Sequence, residues 1–385
     1  MLSYTPGCHR AKWLCRSRKT VIEEAKLNSV KIALDATPLA GPPGGIPRYT
    51  KSLAEALAGQ FPEDEYWLLS DQAFPAPKSK SKNLSAETCA SRRWWSLSLP
   101  RKLKRLGIHL FHGTDFAVPY LPLRASVMTV HDLSPWLHPQ WQPAAQRVRN
   151  RTPVLLKSGI ASMVITPSET VRRAAIDYFK LREDRVVAIP LAADDCFRPG
   201  NVPARKSPYF LFAGTLEPRK NVARVIDAWR QVRGQTPVDL ILAGRCRADF
   251  VLPKPETGLQ HMDGVSDEVL AALYAGATAV IYPSLYEGFG LPVLEAMQCG
   301  ALVITSLDPA ICEITGHGET CAAIHIQETE TRELAAAMRA ALGKPDSFSE
   351  IRQQALKRAA CFSWAKTAAK TREVYEQATR LFSHA

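Results

Sequence analysis

Clusters of cysteine and histidine are absent from this sequence of 385 residues. The nine cysteines include no C-x-x-C pair and no tight cluster with histidine, so their spacing gives no indication of a structural zinc site. They are also too far apart for the dense disulfide framework of a small secreted domain. A reducing compartment therefore fits the chain best.

Long apolar runs are absent as well. The longest uncharged stretch that could suggest a membrane span covers residues 269–286, but it contains Gly276 and Pro283. This pattern predicts a helix, a turn and a strand, so we expect no transmembrane helix. The first thirty residues are basic but lack the continuous apolar segment of a secretory signal peptide. We expect residues 1–29 to form a loose basic leader.

The common nucleotide-binding fingerprints are missing too. Neither the glycine-rich loop at 41–45 nor the loop at 213–220 matches G-x-G-x-x-G or the Walker P-loop. No D-x-D pair follows a strand of the kind that lines a cleft, since Asp194 and Asp195 lie near a predicted linker. A nucleotide or phosphate ligand would therefore have to be bound by other groups.

The chain does contain enough apolar material for two packed domains. With 46% hydrophobic and 22% charged residues, the composition excludes wholesale disorder, and the length favours about two domains. Short β-branched or aromatic runs alternate with helix-length segments, which predicts α/β domains with doubly wound parallel sheets. The predicted strands are 30–35, 110–112, 126–131, 163–166, 186–190, 209–214, 238–243, 279–282 and 301–305.

The two predicted domains open in the same way. Each begins with a strand that leads into a glycine-containing turn and then into a helix-like pattern. Prolines and a glycine cluster between 194 and 208, which marks the boundary. The expected units are an N-terminal domain over 30–200, a C-terminal domain over 201–362, and a C-terminal helix over 363–385 that packs back toward the N-terminal domain.

The formal net charge of +12 is confined to one half of the chain. Residues 1–200 hold 29 Lys and Arg against 17 Asp and Glu, whereas residues 201–385 hold 20 of each kind. Such asymmetry suggests that the N-terminal half meets something anionic, such as nucleic acid, a lipid surface or a phosphorylated substrate. A solvated basic face is the alternative.

The most specific motif is Glu287-Gly-Phe-Gly-Leu-Pro-Val-Leu-Glu295, which follows a predicted strand. Its two glycines expose backbone amides and Pro292 suits an early helical position, so the loop leads into a helix N-terminus that can face an anion. Glu287 lies in the loop and Glu295 about two turns into the helix, so the two carboxylates can contact two parts of an extended polar ligand. The alternative for Glu295 is an ordinary surface position on the helix.

With this motif the sequence resembles the retaining, nucleotide-sugar-dependent glycosyltransferases of family four, whose hallmark is E-x7-E. The resemblance covers most of residues 30–375 and implies the GT-B fold, in which two Rossmann-like domains face each other across a cleft. It also implies that the C-terminal domain holds most of the sugar nucleotide and that the N-terminal domain takes the acceptor. Further matching segments, in the family's order, are Gly44–Tyr49, Val130–Asp132, Gly214–Asn221, Asp263–Tyr274 and Phe362–Trp364.

By this resemblance, Arg219 and Lys220 bind the donor diphosphate and offset the negative charge that grows on it. Fixed cations in a dry cleft can do this without a metal. Glu295 would accept hydrogen bonds from the ribose hydroxyls, and Glu287 would contact the donor sugar. Many relatives have another basic residue where this chain has Thr215, which shifts more of the task to the two cations. The alternative for these cations is a pair of solvated loop side chains.

The resemblance also implies donor-binding roles for a set of glycines and their neighbours. Gly44 and Gly45 would bring backbone close to the donor phosphate or the acceptor, because glycine permits such an approach at little cost. Val265 lies in a segment that runs along the nucleobase, although core packing is the alternative for it. The full donor-binding set is Gly44, Gly45, Gly214, Gly264, Val265, Gly288, Phe289, Gly290, Leu291 and Glu295.

His131 ends a predicted parallel strand, where its side chain projects toward the cleft. The family's matching histidine lies beside the transferred sugar and helps to organise the reacting centre. A purely structural histidine is the alternative. The expected catalytic residues are His131, Arg219, Lys220 and Glu287.

The resemblance implies transfer of a hexose from a nucleotide sugar to a glycan in polysaccharide or lipopolysaccharide synthesis. No carboxylate is placed as an obvious nucleophile, so retention suggests that the acceptor hydroxyl attacks from the face that the diphosphate leaves. We expect no metal and no cofactor beyond the nucleotide sugar. The likeness of residues 214–221 to bacterial mannosyl- and rhamnosyltransferases of surface polysaccharide favours GDP-mannose, with a UDP-sugar as the alternative.

The basic N-terminal half suggests a site for a lipid-linked acceptor. The segments 92–95 and 101–105 interleave cations with aromatic and apolar residues, as peripheral membrane-binding segments do. We expect a cytoplasmic protein at the inner face of the cytoplasmic membrane, while a solvated helix face is the alternative. No recognised motif supports a nucleic-acid partner. Two other functions remain open: a nucleotide-sugar epimerase of GT-B fold, and a non-catalytic scaffold at an anionic membrane.

Overall fold

The computed structural model describes residues 29–77, 81–200, 205, 207–248, 250–327 and 329–383. In this part of the chain the strands form two separate parallel sheets, one in each half of the sequence. Almost all of the predicted leader, 1–29, lies outside the described residues. None of the described cysteines is in a disulfide.

The first sheet has seven strands, and every neighbouring pair is parallel. Its order is β3-β2-β1-β4-β5-β6-β7, with the strands as follows: β1 (Lys31–Asp35), β2 (Glu65–Ser70), β3 (Leu84–Thr88), β4 (Leu110–Gly113), β5 (Ala125–Thr129), β6 (Met163–Thr166) and β7 (Val186–Ala188).

The second sheet has six strands, also all parallel. Its order, β10-β9-β8-β11-β12-β13, repeats that of the first six strands of the first sheet. The strands are β8 (Tyr209–Ala213), β9 (Asp239–Ala243), β10 (Leu259–Met262), β11 (Ala279–Tyr282), β12 (Val303–Ser306) and β13 (Ile324–Ile326).

Helices connect the strands and cover the sheets, so central strands are buried on both faces and consist of continuous apolar runs. All five residues of β8, for example, are buried. The helices are α1 (Gly45–Gln60), α2 (Leu99–Leu106), α3 (Ser134–Leu137), α4 (Gln146–Lys157), α5 (Glu169–Phe179), α6 (Val222–Arg233), α7 (Asp267–Gly276), α8 (Leu291–Gln298), α9 (Pro309–Thr315), α10 (Thr331–Gly343), α11 (Ser349–Ala359) and α12 (Trp364–Ser383).

The topology confirms the predicted fold class of two Rossmann-like, doubly wound parallel-sheet domains. In each sheet the strand order reverses beside the first strand, so β1 lies between β2 and β4, and β8 lies between β9 and β11. Such a switch point opens a crevice outside the carboxyl ends of the strands, where ligands of these sheets bind. The stretch 269–286 is a helix, a turn and a strand, as predicted.

The last helix, α12, returns to the N-terminal half of the chain and packs on α1 and β5. The Tyr375 hydroxyl and a ring nitrogen of His112 on β4 are 2.7 Å apart. Arg372 Nε donates to Asp64 Oδ2 at 2.7 Å, and that carboxylate is fully buried. The end of the chain therefore ties into the first domain after the second domain is complete.

One part of the membrane prediction is wrong. Trp94 and Trp95 were expected among the cations of a membrane-facing segment, but both side chains are buried in the N-terminal core. Lys102 is buried too and pairs with Glu87, so it does not face solvent. The helical turn at 94–98 points the aromatic rings into the core. Burying such large apolar rings is more favourable than leaving them in water beside the arginines.

Candidate active site

The loops that follow three strand ends meet where the two sheets face each other. The backbone N–H of Leu133, just after β5, donates to the Tyr286 hydroxyl at 3.0 Å. The Ser168 hydroxyl, just after β6, donates to the carbonyl oxygen of Gly288 at 2.7 Å. Residues from the first domain therefore line one wall of a cleft, and the E-x7-E loop lines the other.

Glu287 lies at the switch point of the second sheet, between two basic side chains. Lys220 Nζ donates to Glu287 Oε1 at 2.5 Å, and an Arg219 nitrogen lies 3.2 Å from Glu287 Oε2. All three side chains are nearly inaccessible, which contradicts the alternative of solvated loop cations. Arg219 and Lys220 of the motif at 214–221 thus form one cluster with Glu287, the first residue of the motif at 287–295.

Burial and charge act in opposite directions on this cluster. Burial would raise the pKa of Glu287, but the adjacent Lys220 and Arg219 outweigh it and lower that pKa to about 2. The carboxylate is therefore ionised at neutral pH. Among the charged groups that contact one another here, the cations Lys220, Arg219 and Arg247 outnumber the carboxylates Glu287 and Glu217 by one, and this excess of positive charge suits an anionic ligand.

Further side chains hold the cluster in place. Lys220 also donates to the Tyr282 hydroxyl at 2.5 Å, and Arg219 pairs with Glu217 at 2.8 Å. Glu217 in turn pairs with Arg247 at 2.6 Å. Asp308 accepts from the backbone N–H of Glu287 at 3.0 Å and caps the start of α9. Sequence reasoning missed these partners, although Glu217 stands inside a motif that it singled out.

Glu295 occupies a different part of the cleft. It is the fifth residue of α8, just over one turn into the helix and not two, and it is buried, so the surface alternative is wrong. Arg48 of α1 pairs with Glu295 Oε1 across the cleft, and the Tyr274 hydroxyl donates to Oε2 at 3.0 Å. Burial raises the pKa of Glu295 to about 7, although Arg48 and Tyr274 oppose this shift.

The two glycines of the E-x7-E loop are needed for different structural reasons. A Cβ on Gly288 would lie 2.0 Å from the backbone oxygen of His131, so only glycine permits this approach between the domains. Gly290 has φ 103° and precedes the first residue of α8. The side chains of Phe289 and Leu291 are buried, so only their backbone groups can reach a ligand.

His131 is partly buried at the cleft wall, two residues beyond the end of β5. Its Nε2 is 2.7 Å from the carbonyl oxygen of Thr114. Because that oxygen can only accept, the Nε2 N–H donates to it. The ring packs edge-on against Tyr49, with centroids 5.1 Å apart.

The remaining predicted glycines differ in their surroundings. Cβ atoms added to Gly44 and Gly45, at the start of α1, would meet no protein atom within 4 Å, so this side of the cleft is open. Gly264 has φ 65° and is also open, whereas Gly214 has φ 133° and a Cβ there would meet the Tyr282 ring at 4.0 Å. Val265 is partly buried and packs on the core.

Two kinds of feature are absent from the described residues. Nowhere in the described part of the chain do three or more His, Cys, Asp or Glu side chains form a group that could hold a metal ion. Among the helices between residues 29 and 383 that the structure describes, none has the length and apolar character needed to cross a bilayer.

Two family models match consecutive parts of the chain. The model described as "Glycosyltransferase Family 4" matches residues 43–195, and the model "Glycosyl transferases group 1" matches residues 195–359. Together they extend across both sheets and include Arg48, the E-x7-E motif and the Arg219–Lys220 pair.

Two bacterial proteins are similar in sequence. The chain is 30% identical to O-antigen chain mannosyltransferase B of Escherichia coli, over 90% of this chain and 100% of that protein. It is 27% identical to O-antigen chain mannosyltransferase RfbU of Salmonella typhimurium, over 62% of this chain and 66% of that protein.

Solved structures share the fold over most of the chain. Sucrose-phosphate synthase from Thermosynechococcus elongatus superposes with a TM-score of 0.69 at 19% identity, covering 92% of this chain and 100% of that chain. Anabaena HepE, in complex with UDP and glucose, superposes with a TM-score of 0.68 at 20% identity, covering 90% of this chain and 98% of that chain. The fold is therefore GT-B, and the chain belongs to glycosyltransferase family 4.

Proposed function

We propose that this glycosyltransferase transfers a mannosyl residue from GDP-mannose to a lipid-linked glycan, with retention of configuration and without a metal. The observation that carries the proposal is the buried cluster of Arg219, Lys220 and Glu287 at the switch point of the second sheet. The printed names of the similar mannosyltransferases support the sugar, and full-length alignment to one of them supports a polysaccharide acceptor. A UDP-sugar remains the alternative donor.

The cations of the cluster act on the leaving group in this proposal. The bond between the anomeric carbon and the diphosphate breaks, and negative charge grows on the phosphate oxygen. Arg219 and Lys220 lie in a water-poor site, where fixed positive charge stabilises that oxygen more than bulk water can. Their partners Glu217 and Tyr282 keep both side chains in one position before the reaction begins.

The two glutamates bind the polar parts of the donor. Glu287 remains ionised, so its oxygens can accept hydrogen bonds from hydroxyls of the transferred sugar. Glu295 accepts from the ribose hydroxyls. His131 stands opposite Glu287 on the other wall and orders the reacting centre between the domains. The acceptor hydroxyl attacks the anomeric carbon from the side of the departing diphosphate, which takes up the hydroxyl proton.

A lipid-linked acceptor calls for a membrane-facing surface on the N-terminal domain. The loop before β5 exposes Leu121 and Leu123, with 47% and 61% of their surface in solvent. These leucines lie beside α2, whose Arg101, Lys104 and Arg105 are exposed. Exposed apolar side chains beside a basic helix are the features that bind an anionic lipid surface. We propose that this loop and α2 contact the membrane.

The test of the donor site is calorimetric titration with GDP, UDP and ADP in EDTA. We expect micromolar binding of GDP, at least ~10-fold weaker in Lys220→Gln and in Glu295→Ala, because each change removes a charged hydrogen-bond partner of the ligand. Lys357→Gln, which removes an exposed cation on α11, should bind GDP as the unmodified chain does. Binding of no nucleotide would contradict the donor site, and binding of UDP alone would replace the proposed donor.

A further inference from the structure

Arg48 connects the two domains at the place proposed for the donor ribose. It lies in the first turn of α1, on the N-terminal side of the cleft, and its guanidinium contacts Glu295 on α8 and Asp267 at the start of α7. The same group stacks over the Phe197 ring, 5.0 Å from the ring centroid. One side chain thus bridges elements of both sheets.

Each oxygen of Glu295 already accepts a hydrogen bond in this arrangement. Arg48 takes Oε1, and the Tyr274 hydroxyl donates to Oε2. Only 4% of the Glu295 side chain is exposed, against 19% of the Arg48 side chain, so Arg48 covers the carboxylate from the N-terminal side of the cleft. A ribose hydroxyl can therefore reach Glu295 as proposed only if Arg48 moves aside.

The donor itself offers Arg48 a replacement partner. In a nucleoside diphosphate the ribose is joined to the phosphates by a single methylene group, so a ligand that takes Glu295 brings an anion next to the displaced guanidinium. Arginine binds phosphate oxygens through two parallel hydrogen bonds as readily as it binds a carboxylate. The space beside Gly44 and Gly45, at the start of the same helix, is open.

We propose that Arg48 exchanges partners when the donor binds, releasing Glu295 to the ribose and pairing with the diphosphate. Arg48 is then a positioning residue that lets the site discriminate a diphosphate from a bare nucleoside. A nucleoside must break the Arg48–Glu295 pair and leaves Arg48 with Asp267 alone, whereas a nucleoside diphosphate supplies a new anionic partner. This inference rests on the proposed role of Glu295 in the donor site.

The test compares ligands with and without the diphosphate. Guanosine and GDP, and in parallel uridine and UDP, are titrated by ligand-observed NMR, which covers weak affinities, into the unmodified chain, Arg48→Met and Arg48→Lys. In Arg48→Met we expect the nucleoside to bind several-fold more tightly and the diphosphate about 10-fold more weakly, roughly 1.4 kcal/mol. Arg48→Lys, which retains the charge, should show the same opposite shifts at smaller size.

Opposite signs for the two ligands support the exchange, because a residue that only holds the domains together would change both affinities in the same direction. Equal weakening of nucleoside and diphosphate, or no change in either, would overturn it. If the unmodified chain binds neither diphosphate, the proposed donor site fails as well. If it binds one of them and the shifts in the variants are parallel, only the exchange fails.

Discussion

Neighbouring residues in the candidate site are held by different means. Lys220 is fixed by one carboxylate and one phenol, whereas Arg219 lies between two carboxylates, of Glu217 and Glu287. Less negative charge therefore compensates Lys220 than Arg219, and the ammonium group of Lys220 is easier to redirect than the guanidinium of Arg219. A phosphate oxygen that arrives beside the pair can recruit Lys220 without breaking the Arg219–Glu217 bridge.

Gly288 gives a prediction at the scale of one methyl group. In Gly288→Ala the new Cβ would lie 2.0 Å from the backbone oxygen of His131, and neither backbone segment can yield as a flexible side chain would. We expect the two walls to separate and donor turnover to fall about 10²-fold, since misplacement of reacting groups by an ångström costs that much. Steady-state kinetics and the thermal midpoint of the variant measure both effects.

The matched control for this prediction is Gly59→Ala. Gly59 lies in α1, and an added Cβ there meets no atom within 4 Å. Alanine is the better helix former, so this variant should keep full activity and gain about 0.5–1 kcal/mol of stability. Unchanged turnover in Gly288→Ala would show that the walls do not need to approach this closely.

At the scale of elements, central and edge strands differ in how well the sequence predicts them. The nine predicted strands are present, because each is built around a short apolar run of the kind that buried parallel strands contain. Three of the four that were not predicted, β3, β10 and β13, lie at sheet edges and are short or partly exposed. The fourth, β2, begins directly after charged residues, which make its short apolar run hard to recognise as a strand.

The candidate site was likewise predictable from the sequence only in part. The E-x7-E motif and the Arg219–Lys220 pair are contiguous in sequence, so their residues could be named in advance. The Arg48–Glu295 and Lys220–Tyr282 contacts join residues 247 and 62 positions apart. Such pairs arise only when the domains and strands pack, and no local pattern encodes them.

The docking of α12 makes a prediction about acid stability. His112 is fully buried on β4, where it contacts Tyr375 of α12 and Thr129. Burial, together with His131, lowers the pKa of His112 to about 3. The unfolded chain takes up a proton near pH 6.5 and the folded chain does not, so stability falls as the pH drops from 6.5 toward 3.

Urea unfolding at pH 7.5 and pH 5 measures this contribution. His112→Gln cannot titrate, so it should lose about 2 kcal/mol less stability than the unmodified chain between these pH values, from 1.36 kcal/mol per pH unit below 6.5. Tyr375→Phe is the control, because it removes a hydrogen bond but leaves His112 buried. It should be less stable at both pH values with the pH dependence intact. Identical pH dependence in His112→Gln would contradict the prediction.

At the scale of the whole molecule, contacts across the cleft stand at both of its ends. Arg48 bridges to Glu295 inside the candidate site, while Glu313 of α9 accepts from the backbone N–H groups of Glu169 and Thr170 at the start of α5. The second contact pairs a carboxylate with the positive end of a helix dipole. Donor binding therefore acts on a molecule whose walls already touch on both sides of the site.

The two halves of the molecule also differ in charge. The second domain carries a balanced charge and holds the buried cations of the candidate site, whereas the excess positive charge lies in the first half of the chain. Its tryptophans at 94 and 95 are buried, so any lipid contact must use other apolar groups. Leu121 and Leu123 beside the cations of α2 are the candidates.

The membrane prediction follows from this placement. We expect sedimentation with vesicles of anionic lipid, and about 10-fold weaker binding of the double variant Leu121→Ser, Leu123→Ser, because partial burial of two leucines contributes somewhat more than 1 kcal/mol. Arg101→Gln with Lys104→Gln should remove much of the salt dependence of binding. Val251→Ser, in the other domain and 88% exposed, is the matched control and should bind as the unmodified chain does. Equal sedimentation of the leucine variant and the control would place the lipid contact elsewhere on the molecule.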